Sequence, residues 1–157
     1  TSGSITADTE LPAAVALTAD AVASPTSPAV AGHLYGYNGD PVLAISDGTV
    51  VRTQSFHLGS DAILVDHGDF VALYGEVAPG SWNEFGVTKG TRVSAGDQIA
   101  RLACMQGTPS NCSSHMLHFE TYRPGTTQNQ QWTGAPPAAL LDPTYLLLVA
   151  AGPGPNG

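Results

Sequence analysis

The chain has 157 residues, of which 42% are hydrophobic and 11% charged, with a formal net charge of −8. This length allows one domain with a sizeable core. The shortage of charge, well under the usual quarter, excludes a charged disordered chain and predicts a surface of Ser, Thr, Gly and Ala. An acidic balance repels a phosphate backbone, which sets nucleic acid aside as a partner, and no apolar run approaches the roughly 20 residues that span a bilayer.

Residues 1–28 are rich in Ala, Thr, Val, Ser and Pro, with no aromatic and no basic residue. Alone, such an extended arm wanders. Held in order, it needs a surface, either its own domain or a neighbouring molecule. There is no Met start and no basic-then-apolar segment, so the chain reads as a processed product with its signal removed. A tail, A-A-G-P-G-P-N-G, closes the chain. The expected division is an arm over 1–28, a β domain over 29–150 and a Gly/Pro tail over 151–157.

From Leu34 the texture becomes β. P-V-L-A-I (41–45) and G-T-V-V-R-T (48–53) flank Ser46-Asp47 and predict a hairpin. A-I-L-V-D (62–66) and F-V-A-L-Y-G-E-V (70–77) flank H-G-D and predict a second. Residues 88–103 predict two short strands around a Gly turn. M-L-H-F-E-T-Y (116–122) predicts a strand stopped by Pro124-Gly125. After a polar loop, A-L-L-D-P-T-Y-L-L-L-V-A fits a short helix or a strand. Many short strands with Gly turns predict an all-β fold, a small antiparallel sandwich or barrel.

The two cysteines, Cys104 and Cys112, enclose Gly, Pro, Ser and Asn, the composition of a loop. Zinc and thioredoxin-like pairs have closer spacing, and there is no second pair. A disulfide is expected, and with it an oxidising, extracytoplasmic home: extracellular, periplasmic or cell envelope.

The run S-S-H-M-L-H-F-E-T-Y (113–122) places two histidines three apart. Side chains alternate across a strand, so His115 and His118 fall on opposite faces. Met116, His118 and Glu120 share one face, while Leu117 and Phe119 point into the core. The run thus offers one nitrogen ligand, whereas a zinc centre takes three or four. Others would come from His33, His57, His67 or an acid. The bland reading of a lone strand histidine is a hydrogen-bonded structural residue. His67, in V-D-H-G-D-F, reads as a turn residue bonding local backbone, and Asp47 likewise. No G-x-S-x-G supports a serine nucleophile. Trp82 and Trp132 lie in loop-like stretches that suit a binding surface or a core edge equally.

In order, G-D-P-V-L-A-I-S-D-G-T-V-V, A-I-L-V-D-H-G-D-F-V-A-L-Y-G-E-V, V-S-A-G-D-Q-I-A-R-L, M-L-H-F-E-T-Y and L-L-D-P-T-Y-L resemble the lysostaphin/LytM-type zinc endopeptidases, which cut peptidoglycan cross-bridges. The resemblance covers roughly residues 30–148. It implies the LytM fold, a small antiparallel β structure with a groove on one sheet, where Tyr74, Glu76 and Trp82 would line a binding surface. The family's H-x-x-x-D motif falls on Ala29 and His33. Its H-x-H motif falls on Met116 and His118, and its remaining catalytic histidine falls on Glu76.

On that alignment one zinc ligand is kept, His118. His33 is a different possible ligand, and Ala29 has no lone pair. Met116 cannot take a proton at neutral pH, whereas Glu76 could. The expectation is a degenerate peptidase with no catalytic residue, no bound metal and no cofactor. It would serve as a structural or interaction module in an extracellular or envelope assembly, through self-association or an envelope protein partner. Domains of this type that switch on cell-wall amidases are a precedent the resemblance suggests. One alternative is a Zn2+-dependent peptidoglycan endopeptidase with a rearranged site of His33, His118 and Glu76 or His57. Another is a cell-wall glycan- or peptide-binding module using Trp82 or Trp132.

Overall fold

The computed structural model describes residues 4–7, 17–21, 32–35, 37–108, 110–130, 135–144 and 146–147, the first three segments as backbone alone. Its main sheet is antiparallel and takes strands from both ends of the chain. The members are β1 (Ser4–Ala7), β2 (Leu17–Ala21), β3 (Gly32–Tyr35), β5 (Gly48–Ser55), β6 (Asp61–Asp66), β7 (Val71–Val77), β8 (Arg92–Val93), β12 (Met116–Tyr122) and β13 (Leu140–Leu141). Their order is β1-β2-β3-β12-β7-β6-β5-β8, with β13 paired to β12. Two ribbons complete the fold: β4 (Pro41–Leu43) with β9 (Gln98–Arg101), and β10 (Gln106–Thr108) with β11 (Asn111–Ser114). Within the N-terminal arm, β1 and β2 pair with each other, and β2 continues the sheet by pairing with β3.

The predicted β6–β7 hairpin forms, with Asp66 opposite Val71. Asp66 Oδ1 accepts the Gly68 N–H at 2.8 Å, and Gly68 has φ 92°, a left-handed turn position that favours glycine. The predicted hairpin about Ser46-Asp47 does not form. β4 pairs with β9, and β5 pairs with β6 and β8. The turn is bonded elsewhere: Asp47 Oδ1 accepts the Ala95 N–H at 2.9 Å, and Ala44 exchanges backbone hydrogen bonds with Asp97 and Gly96. Gly48 allows this packing, since a Cβ there would lie 2.6 Å from the Asp66 carbonyl oxygen. The segment from Ala139 resolves into a strand, β13, and then a helical turn at Thr144, Leu146 and Leu147.

Both faces of the central strands are covered, which is why β6 and β7 read as near-continuous apolar runs. On one face Val50, Ile63, Val65, Ala72, Tyr74, Leu117 and Phe119 pack against Val42 and Ile99 of the β4–β9 ribbon. On the other, Ala62, Leu64, Val71, Leu73 and Tyr122 form a smaller cluster beneath Phe56 and Leu140. Burying each large aliphatic or aromatic side chain contributes about 1.5–3 kcal/mol. The disulfide Cys104–Cys112 closes the base of the β10–β11 ribbon, with the Cα atoms 5.6 Å apart. Among the described residues, no helix is long and apolar enough to cross a membrane.

Candidate functional site

Strand β12 is central to the candidate site. Leu117 and Phe119 are buried in the larger core, whereas Met116, His118 and Glu120 are partly exposed on the other face, as alternation requires. Register then brings distant segments beside them. His118 is opposite His33 of β3 on one side and Gly75 of β7 on the other. Met116 is opposite Tyr35.

A chain of hydrogen bonds runs along this face. His118 donates from Nε2 to Glu120 Oε1 at 2.8 Å, and the Tyr122 hydroxyl donates to Glu120 Oε2. Burial raises the Tyr122 phenol above its ordinary range, and the Glu120 carboxylate beside it adds to the shift. The phenol therefore stays protonated and holds the carboxylate in place. Phe56 packs against the His118 ring, with centroids 5.4 Å apart. The space for Phe56 comes from Gly75, where a Cβ would sit 2.7 Å from the phenyl ring.

Glu76 reaches this face through a defect in the strand. Simple alternation would send it into the larger core with Ala72 and Tyr74. Between Asp61↔Val77 and Ile63↔Tyr74, however, β7 carries one residue more than β6. The bulge reverses the pattern: Val71 and Leu73 lie in the smaller cluster, whereas Val77 lies in the larger. Glu76 takes φ 60°, a left-handed conformation that costs a non-glycine residue of order 1 kcal/mol or more. Burial pushes its carboxyl above the usual range, offset in part by the charges of His118 and His57.

The other expected positions fall in varied places. Tyr74 is a core residue, 1% exposed, so it has no surface to offer a groove. Its hydroxyl accepts the Ile45 N–H at 3.0 Å and lies 3.0 Å from His67 Nε2. His67 also approaches the Asp47 carbonyl and Ser46 Oγ, each 3.0 Å from Nδ1. The network assigns a neutral ring, with Nδ1–H donating to Asp47 and Nε2 accepting from Tyr74. His67 thus ties two loops together, a wider role than bonding its own turn. Trp82 donates from Nε1 to Asp61 Oδ2 at 2.9 Å and packs against the larger core. His115 precedes β12 and stacks on Tyr37 at 5.5 Å. Ala29 and Trp132 lie outside the described residues. The orienting pair Glu120 and Tyr122 could have been found from their i+2 and i+4 spacing to His118. Nothing in the sequence pointed to Phe56.

A family model for peptidase family M23 matches residues 31–130. The chain belongs to peptidase family M23. No curated protein sequence matches it significantly. Among solved structures, LytU has a TM-score of 0.55 at 24% identity, covering 80% of this chain and 77% of LytU. Lysostaphin from Staphylococcus simulans, described as an antimicrobial peptidase, has a TM-score of 0.57 at 21% identity, covering 81% of this chain and 50% of that one. An NMR structure of lysostaphin has a TM-score of 0.55 at 23% identity, covering 82% and 46%. This chain thus corresponds to about half of lysostaphin, and likeness at this identity establishes the fold.

The M23 resemblance implies zinc, so the donor set matters. Among the described residues, no three His, Cys, Asp or Glu side chains gather around a common point. His33 and His118 are nevertheless paired across β3 and β12. Histidine nitrogen suits zinc. Two histidines remain short of the three protein ligands such a centre takes, unless another strand contributes. In any metal centre here, Glu120 would be the carboxylate that orients the His118 ring.

Proposed function

We propose that this M23 domain is a non-catalytic interaction module that works outside the cytoplasm. Zinc peptidases need a group to take a proton from the attacking water. At the two positions where the M23 resemblance puts base histidines stand Met116 and Glu76. The Met116 thioether cannot fill that role, and its exchange for histidine carries this reading. The disulfide Cys104–Cys112 supports an oxidising compartment. The sparse charge and the Ala/Thr/Val-rich arm suit packing along a neighbouring protein or cell-wall surface. A structural subunit of an envelope or extracellular assembly, held by its arm, fits these features.

The test is hydrolysis against retention. The purified chain, with and without added zinc, is incubated with peptidoglycan and with synthetic cross-bridge peptides. The module reading expects no cleavage product by mass spectrometry, together with sedimentation of the chain with insoluble cell wall or with a second copy of itself. Zinc-dependent cleavage that chelators abolish overturns it.

One observation favours a second reading, a zinc hydrolase with a rearranged site. Glu76 is a largely buried carboxyl, raised above its usual range and influenced by the charge of His118. Enzymes tune glutamate bases in this way. The same assay decides: this reading requires cleavage in the parent chain and its loss in Glu76→Gln.

A further inference from the structure

The main sheet ends in two different edges. At one end is β1, a four-residue strand of the arm, which among the described residues pairs with β2 alone. At the other end β8 covers β5 only at Gly48 and Thr49. After a register shift between Val50 and Arg52, the last four residues of β5, Arg52, Thr53, Gln54 and Ser55, pair inward with β6. On their outer side no strand among the described residues pairs with them. Arg52 and Ser55 are exposed, so this edge is open to solvent. A row of unpaired N–H and C=O groups is a template for a further strand, and the open stretch has the length of β1.

Charge separates the two edges. Arg52 of β5, Arg92 of β8 and Lys89 just before β8 are exposed, and they are three of the chain's five cations. Among the described residues none of the three is in an ion pair, whereas Arg101 pairs with Glu84. Carboxylates nearby are engaged within the domain: Asp47 accepts the Ala95 N–H, Asp97 the Ser94 N–H, and Asp61 the Gly80 N–H and the Trp82 indole. The arm, residues 1–28, carries Asp8, Glu10 and Asp20 and no basic residue. Opposite charges of this kind steer association and suppress wrong pairings.

We infer that the open edge of β5 takes the β1 strand of a second copy of this chain, so that the sheet continues from one molecule into the next. The inference rests on the interaction-module reading above and names its partner. Ser-Ile-Thr-Ala suits the role, since it holds neither proline nor charge, two devices that block edge pairing. The two surfaces differ, so the contact is heterologous. A pair of copies keeps one free β1 and one free β5 edge, and assembly proceeds head to tail into open filaments.

The test is analytical ultracentrifugation of the full chain over a concentration series. The parent is expected to grow with concentration beyond a dimer. An edge variant, Arg52→Glu with Arg92→Glu, and an arm variant, Asp8→Lys with Glu10→Lys, should each associate more weakly by roughly tenfold or more. Circular dichroism and urea midpoints of both, expected to match the parent, separate loss of docking from loss of fold. An equal mixture of the two variants should form a dimer and stop there, because one supplies an intact arm and the other an intact edge. A parent that stays monomeric overturns the proposal. So do variants that associate as the parent does, or a mixture that stays monomeric. The cleavage assay above does not depend on association, so it judges the non-catalytic reading separately.

Discussion

His118 Nε2 lies 2.8 Å from Glu120 Oε1, and the other carboxylate oxygen of Glu120 accepts the Tyr122 hydroxyl. Three alternate residues of one strand are thus bonded in series on one face of the sheet. Removing the phenol leaves a partly buried carboxylate short of a donor, which costs about 1–3 kcal/mol. Tyr122→Phe should lower the unfolding free energy by that amount, seen as a lower urea midpoint with an unchanged slope. A midpoint equal to the parent's would mean that water satisfies Glu120 equally well.

Glu76 combines a left-handed backbone with a buried carboxyl. Glu76→Gly and Glu76→Ala both remove the carboxyl, so their difference isolates the backbone. Glycine is expected to be the more stable of the two by about 1 kcal/mol in thermal denaturation, because φ 60° costs it nothing. The usual order, alanine above glycine, would show that the bulge relaxes when Glu76 is removed.

Burial pushes the His67 ring below its ordinary pKa of 6.5, against the opposing influence of the Asp47 and Ser46 backbone and of the Asp66 and Asp47 carboxylates. The folded state disfavours the protonated ring. Its contribution is therefore fully present above about pH 6.5 and is lost as pH falls from there through the lower folded-state value. The neutral phenol of Tyr74 also faces the ring. His67→Gln, which cannot titrate, should show a flatter fall in stability across that window. Parallel curves for parent and variant would remove His67 from the acid response.

The bridge between Cys104 and Cys112 closes a short loop, with a sequence separation of 8. Chain entropy for a loop of this size amounts to about 2.5 kcal/mol. The Cys104→Ser, Cys112→Ser double variant is expected to lose about that much in denaturant titrations. Its main sheet should persist, since the bridge staples the β10–β11 ribbon, which is a separate two-stranded sheet.

Gly75→Ala should cost about 1–3 kcal/mol by overpacking. The new methyl would meet Phe56 at 2.7 Å and Leu73 at 3.1 Å. Because Phe56 rests on His118, the ring resonances of both should shift in an NMR spectrum. Shifts confined to Phe56 would show that the two rings are independent.

Local pattern alone determined much of this protein. The alternation in M-L-H-F-E-T-Y settles which side chains enter the core, because a strand admits two faces and hydrocarbon selects one. H-G-D marks a hairpin since its turn bonds are made within a few residues. The loop between the cysteines is short enough for composition to reveal the bridge. Features set by non-local pairing were not legible. Ser46-Asp47 has the composition of a hairpin turn, yet the Asp47 carboxylate bonds Ala95, and the Ser46 hydroxyl and Asp47 carbonyl bond His67. Tyr74 lies in a motif that suggested a groove, but its face of β7 packs against the second layer. Alternation sends Glu76 inward, and a bulge counted against β6 turns it out. The pairing of Asp20 with His33, and of His33 with His118, has no spacing signature, since the three come from separate stretches of the chain. Register between strands is chosen by the whole sheet at once, through packing and hydrogen bonds that no single segment contains, and so only the tertiary structure could place an arm residue beside a motif histidine.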